Sequence, residues 1–259
     1  MEQNTQLSKM RYRICELVSK SNEGHLLSSL SALDTIFAIF SFVLRKSEKI
    51  SDYPFRDKFI LSKGHAALGL YVALEEIGLI QKQDLDNFCQ SGSNFGGHPD
   101  ATKFNLALAS TGSLGHGLPI SVGLAYSEKL QKSNSRIFCL IGDGESMEGT
   151  LWESVNLVKS LGLSNITLMV DFNNSHSMAA SPLQLSQTFK SFGWNVSQVN
   201  GHNIEEISRV LNSNVDTLHL VILNTIRGYG IPLIEGRAEW HHRTPTSEDL
   251  LLIKNEIFN

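Results

Sequence analysis

Arg136-Ile-Phe-Cys-Leu-Ile-Gly-Asp-Gly-Glu145 and Asn165-Ile-Thr-Leu-Met-Val-Asp-Phe-Asn-Asn174 decide the fold of this chain. Each opens with an apolar run of strand length, Arg136–Ile141 and Asn165–Val170, as a strand buried on both faces does. Met147–Leu161, between them, reads as a helix. Such a βαβ unit returns the chain parallel to itself on the same sheet, so both following loops open at the carboxyl ends of neighbouring strands. Open α/β sheets bind ligands at that edge. Asp143 and Asn173, 30 positions apart, bring two oxygen ligands there. Gly142 and Gly144 allow a tight turn in which backbone N–H groups approach an anion. A hard divalent cation held by Asp143 and Asn173 keeps positions free for phosphate oxygens, as Mg²⁺ prefers. Alone, Gly-Asp-Gly is a common turn and Asn-Asn a common loop cap; together, in this context, they read as a metal–diphosphate site.

Outward from this unit, further β-rich runs at Trp194–Val199 and Leu218–Asn224 alternate with helical patterns. The expected fold is therefore α/β, a parallel central sheet with helices on both faces. A chain of 259 residues can build this as a single domain over residues 1–259. Leu30–Leu44 is the most apolar stretch, but Asp34, Thr35 and Ser41 interrupt it and it is short for a bilayer. Its periodicity is that of a buried helix. Residues 92–118, rich in Gly, Ser and Asn, form the longest irregular segment and carry His98, Gly112 and His116.

The apolar fraction of 41% and charged fraction of 19% are those of a globular protein. A net charge of −4 without a Lys/Arg run argues against nucleic acid as a partner. Cys15, Cys89 and Cys139 show neither metal-ligand spacing nor a disulfide framework. The polar start Met1–Lys9 is unlike a signal peptide. The expected compartment is cytoplasmic, without membrane attachment. Of nine histidines, His25, His65, His98 and His241 sit in glycine- or tryptophan-marked loops. Their spacing matches no zinc ligand set, and the residues alone leave structural and catalytic roles open.

Asp143 and Asn173 in this context resemble the thiamine diphosphate motif. Gly142–Ser154 and Leu161–Asn173 more narrowly resemble transketolases, without insertion or deletion. Asn22–Leu26 with Ser31–Asp34, Leu61-Ser-Lys-Gly-His-Ala66 and Gly96-Gly-His-Pro-Asp100 are similar to the three histidine segments of that family. Thr111-Gly-Ser-Leu-Gly115 is similar to its cofactor loop. Gly193-Trp194, Asn200-Gly-His202, Thr225–Gly230 and Glu239–His242 continue the pattern in order along nearly the whole chain.

The resemblance implies the diphosphate-binding (PP-type) thiamine diphosphate fold. It implies that His25, His65, His98 and His241 surround the reactive carbon and the substrate hydroxyls as substrate-binding and proton-transfer groups, His65 and His241 also touching the cofactor. Gly112 and Leu114 would place the diphosphate and pack on the aminopyrimidine. Asp143, Asn173 and the Ser175 carbonyl would hold Mg²⁺, or Ca²⁺ or Mn²⁺ in its place. Glu148 and Glu153 would join a carboxylate network at a subunit interface. The implied activity is transfer of a two-carbon ketol unit from a ketose to an aldose-type acceptor, on sugars or sugar phosphates.

In the family, the glutamate that protonates the aminopyrimidine belongs to a second, pyrimidine-binding domain. The resemblance thus implies the N-terminal subunit of a split transketolase. The pyrimidine-binding and C-terminal domains are expected on a partner chain, in an α₂β₂ assembly, with little activity without it. Two alternatives stay open. One is the α-subunit of a 1-deoxyxylulose-phosphate-synthase-like or oxoacid-decarboxylating thiamine enzyme; the other is a non-catalytic cofactor-binding assembly subunit. Leu26–Ser28, Phe104–Ala109, His116, Asn174–Ala179 and His242 depart from the family pattern. Such departures beside retained metal and diphosphate elements suit an unusual sugar substrate.

Overall fold

The computed structural model describes residues 2–47, 53–175, 179–213, 217–241 and 243–258, with the side chains of residues 2–4 and 241 outside the description. His176 and His242 lie outside it as well. In chain order the elements are α1 (Glu2–Ser21), α2 (Leu26–Ala38), β1 (Lys58–Leu61), α3 (Ala67–Glu76), α4 (Lys82–Leu85), α5 (Gly117–Leu130), β2 (Ile137–Gly142), α6 (Gly149–Ser160), β3 (Ile166–Phe172), α7 (Pro182–Ser191), β4 (Asn195–Asn200), α8 (Ile204–Ser213), β5 (His219–Asn224) and α9 (Ser247–Phe258). The strands form one parallel five-stranded sheet in the order β1-β2-β3-β5-β4.

Strand alternation sorts the core into two layers. Phe138, Leu140, Met169, Val221 and Leu223 face α1, α2, α3, α8 and α9. Ile137, Cys139, Ile141, Leu168, Val170 and Ile222 face α5, α6 and α7. Helices thus cover both faces, as a wholly parallel sheet requires. Cys139 is core filling in the second layer, and all three cysteines are free.

The deciding βαβ unit is present. β2 and β3 are parallel neighbours, with Ile141 opposite Val170 and Gly142 opposite Asp171. Its helix starts later than Met147, because Asp143–Met147 forms a 3₁₀ turn and Glu148, in extended conformation, precedes α6. The Glu145 carboxylate closes that turn by accepting the Gly142 N–H at 2.8 Å. The apolar helix also starts earlier than Leu30. α2 begins at Leu26 and runs into a π-helical turn, Ile39–Val43. The continuous stretch Leu26–Val43 has 18 residues and a mean hydropathy of 1.8, so length alone would suit a bilayer, yet 83% of it is buried inside the fold. Every residue of α2, Asp34 included, is buried. Arg11 neutralises Asp34 through Nη2, 2.6 and 2.7 Å from the two carboxylate oxygens, and His202 Nδ1 lies 2.9 Å from Oδ2.

At the amino ends of β1 and β2, buried Asp57 accepts from the backbone N–H and guanidinium of both Arg45 and Arg136. Burial by itself raises its pKa; the two arginines outweigh that and bring it down to about 2. Arg136 also donates from Nη2 to the Val43 carbonyl, 2.5 Å away, and so satisfies the end of the π turn. On the outer edge, β4 exposes Asn195, Gln198 and Asn200 and buries Val199.

Candidate active site

At the carboxyl edge, β1 leads into a 3₁₀ turn, Gly64–Ala66, that carries His65. The His25 ring, just before α2, stands 5.4 Å from that of His65 and 6.0 Å from that of His98, centroid to centroid. Three of the four histidines implied by the resemblance therefore meet. The fourth, His241, ends the 3₁₀ turn Ala238–His241, and its side chain lies outside the described residues. Burial lowers the His65 pKa to about 3, helped by the Lys63 charge and by His25 and His98. Its imidazole is neutral at physiological pH and can both donate and accept a hydrogen bond.

The Thr111–Gly115 loop lies against these rings. Thr111 Oγ1 donates to the Leu61 carbonyl at 2.8 Å. Gly112 has a φ of +154°, which favours glycine, and a Cβ there would press on His98 Cδ2 at 3.2 Å. Gly115, at φ +76°, would place a Cβ 2.6 Å from that of Glu148. Glu148 is half-buried and braces this loop, aided by the Thr150 hydroxyl, which donates to the Gly115 carbonyl at 3.2 Å. Glu153 is exposed on α6, and Leu114 and Met147 present 40% and 52% of their surface beside the loop.

Asp143 is fully buried. It accepts from the Gly144 N–H at 2.8 Å, from the Ser175 N–H at 2.9 Å and from the Ser175 hydroxyl. The loop after β3 is thereby tied to the turn after β2. Asn173, 6% exposed, donates from Nδ2 to Ser31 Oγ at 3.0 Å and to Asp171 Oδ2 at 3.3 Å. Its Oδ1 is buried with no hydrogen-bond partner among the described residues. An orphaned buried acceptor is costly, and a cation is its natural partner. Among the described residues no group of three His, Cys, Asp or Glu side chains could hold a metal. The candidate donors are instead a carboxylate, an amide oxygen and a backbone carbonyl. An all-oxygen set of this kind fits Mg²⁺, Ca²⁺ or Mn²⁺ and not a zinc centre.

The two turn glycines work differently from the expectation. Neither Gly142 nor Gly144 has a positive φ. Both N–H groups already face carboxylates, of Glu145 and Asp143 respectively. Glu145 is a residue that motif reading overlooked. Besides Gly142, it accepts from Gly115 N–H at 2.9 Å and from Ser62 Oγ at 2.5 Å, and Ser62 in turn accepts from Gly117 N–H at 3.1 Å. One carboxylate thus pins three of the cofactor-type segments together; burial pushes its pKa up against the pull of these donors and Lys63. Lys63, Asp171 and Thr225 were overlooked too, and form a second buried knot beneath Asn173. The available signal was a charged residue inside each of two otherwise apolar or glycine-marked stretches.

Of the described departures from the family pattern, four fall behind the site, whereas Asn174 and Ser175 lie in the loop tied to Asp143. Leu26, Leu27, Phe104 and Leu106 are core residues. The Phe104 ring lies 5.5 Å from Tyr71, whose hydroxyl donates to the His98 carbonyl at 3.2 Å. They change packing behind His25 and His98 and add no polar group in front of them.

Residues 2–257 match the family described as transketolase, thiamine diphosphate binding domain. The chain belongs to this family. It is 34% identical over 251 residues to one subunit of the apulose-4-phosphate transketolase of Phocaeicola vulgatus, covering 94% of this chain and 89% of that one. It is 31% identical over 258 residues to transketolase of Homo sapiens, covering 97% of this chain and 41% of that protein. The crystal structure of transketolase from Campylobacter jejuni matches the fold with a TM-score of 0.85 at 26% identity, over 100% of this chain and 43% of that one. This transketolase chain thus spans less than half of the human and Campylobacter jejuni enzymes and nearly all of the Phocaeicola vulgatus relative. The match falls on the thiamine diphosphate-binding part of those enzymes.

Proposed function

We propose that this chain forms half of each active site in a two-chain transketolase, which moves a two-carbon ketol unit from a ketose to an aldose-type acceptor. The observation that carries the reading is the unpartnered Asn173 Oδ1, buried at the same sheet edge as Asp143, His25, His65 and His98. Thiamine diphosphate, when bound, supplies the nucleophilic carbon and the electron sink for the transfer. Asp143, Asn173 and the Ser175 carbonyl would hold Mg²⁺ and, through it, the diphosphate. Gly112 lets the loop approach the diphosphate, and Leu114 would support the aminopyrimidine. Neutral His65, with His25, His98 and His241, would orient substrate hydroxyls and hold or move protons at imidazole nitrogens.

The partner would contribute a pyrimidine-binding domain against the face where Leu114, Met147 and Glu148 lie. Two copies of each chain would then close an α₂β₂ assembly, in the cytoplasm and away from nucleic acid and membranes. The Phocaeicola vulgatus relative, named for apulose-4-phosphate, supports a phosphorylated ketose as the donor class. The test is to assay the chain by itself and with its partner chain, using ketose phosphate donors and, separately, pyruvate. Two-carbon transfer that requires both chains, Mg²⁺ and thiamine diphosphate is the expected result. Pyruvate decarboxylation in its place, or full transfer by this chain without the other, would overturn the reading.

A further inference from the structure

Four side chains from four segments meet at one buried carboxylate, that of Asp171. Asp171, near the end of β3 and 1% exposed, accepts at Oδ2 from Lys63 Nζ, from Ser31 Oγ at 2.7 Å and from Asn173 Nδ2 at 3.3 Å. Its Oδ1 accepts from the Thr225 hydroxyl. Lys63, after β1, is itself 1% exposed, so the pair is a desolvated ion pair. A burial of this kind is weak as a source of stability and suits a role in specifying geometry.

The donor directions are forced. A carboxylate only accepts, so Asn173 must turn its amide nitrogen toward Asp171, and its oxygen must face the other way. The reversed amide would set an oxygen 3.3 Å from the Asp171 carboxylate. Ser31 enforces the same choice, since its hydroxyl donates to Asp171 and accepts from Asn173 at 3.0 Å. The orphaned Oδ1 is the outcome of this arrangement.

We infer that Asp171, held by Lys63, Ser31 and Thr225, is the positioning residue that aims the Asn173 oxygen at the divalent cation. This rests on the metal reading above. It also inverts an ordinary expectation. A carboxylate at position 173 would by its charge bind Mg²⁺ better, but here it would face Asp171 and turn away.

The test is calorimetric titration of the assembled enzyme with Mg²⁺ at saturating thiamine diphosphate, with a separate thermal melt for each variant. Asp171→Asn and Ser31→Ala should each weaken Mg²⁺ binding about 10–100-fold, the range for groups that orient metal ligands. Asn173→Asp should weaken it as well, and Asp171→Asn in the Asn173→Asp background, which restores the charge of the cluster, should recover most of the loss. Should Asp171→Asn fail to fold because Lys63 is left buried without its counter-charge, Lys63→Met with Asp171→Leu removes both charges together. That pair should keep a near-normal melting temperature and still bind Mg²⁺ more weakly. Wild-type Mg²⁺ affinity in the folded Asp171 variants, or tighter binding by Asn173→Asp, would overturn the positioning role while leaving the metal reading intact. Unchanged Mg²⁺ binding by Asn173→Ala would instead overturn the metal reading, and this inference with it.

Discussion

At the amino end of β1, Asp57 is surrounded by two arginines that between them satisfy both of its oxygens. At the carboxyl end of the same strand, Ser62 and Lys63 enter two further buried networks, around Glu145 and Asp171. The carboxylates are as deeply buried at one end as at the other. What separates them is saturation: around Asp57 the acceptors are occupied, whereas the upper end leaves Asn173 Oδ1 unpaired. A closed network specifies geometry, and the open one leaves an acceptor that the proposed cation would fill.

The sharpest way to break this contrast is Asp143→Ala. It should abolish Mg²⁺-dependent retention of thiamine diphosphate by the assembled enzyme, as followed by equilibrium dialysis. The metal-free fold should lose only about 1–3 kcal/mol, the cost of leaving the Gly144 and Ser175 donors short of an acceptor. Normal cofactor affinity in this variant would remove Asp143 from the site. Next in size is His65→Ala, expected to lower turnover roughly 10²–10⁴-fold, the usual worth of a proton-transfer group, with modest loss of cofactor. Steady-state kinetics with unchanged kcat would return His65 to a packing role.

Asp57→Ala should do the reverse of Asp143→Ala. Stranding two arginines should cost about 3–5 kcal/mol in urea unfolding, while the Mg²⁺ dependence of whatever enzyme folds stays as in the wild type. A smaller loss accompanied by altered Mg²⁺ affinity would erase the distinction between the two ends.

The most gradual effect is on pH dependence. His65 and His219 have folded pKa values of about 3 and about 4, both depressed by burial from 6.5. The unfolded chain binds these protons first, so stability is complete above pH 6.5 and declines as pH falls toward 4. The slope is at most roughly 1.4 kcal/mol per pH unit per histidine. Asp57, depressed to about 2, adds its own loss only below the usual carboxylate range. Urea midpoints at pH 7, 6 and 5 should fall, and His219→Gln should flatten the trend; a flat wild-type profile would show that these imidazoles are not held neutral.

The parts of this architecture legible in the sequence were those with a period or a motif. Arg136–Ile141 and Asn165–Val170 announced buried parallel strands, and their loops gave Asp143 and Asn173 a common edge. Lys58–Leu61 did not announce itself, because four residues are too few to show a period. The delayed start of α6 was hidden for another reason: the 3₁₀ turn depends on Glu145 reaching back to Gly142, a tertiary constraint that helix propensity does not register. Glu145 and Lys63 stood inside quoted motifs without a role, since only the fold shows that each faces segments far away in the chain. His202, by contrast, is accounted for structurally: it sits against Asp34, accepts the Ile226 N–H and stacks on Tyr229 at 3.5 Å.

The order of the strands places β1 and β4 at the two margins of the sheet. Margins are where one sheet can recruit another and grow. β1 offers only four residues for such growth, and β4 presents Asn195, Gln198 and Asn200 where an adhesive strand would carry apolar side chains. A protein made before it meets its counterpart must stay dispersed at high concentration. These two blunted margins supply that protection from within the fold.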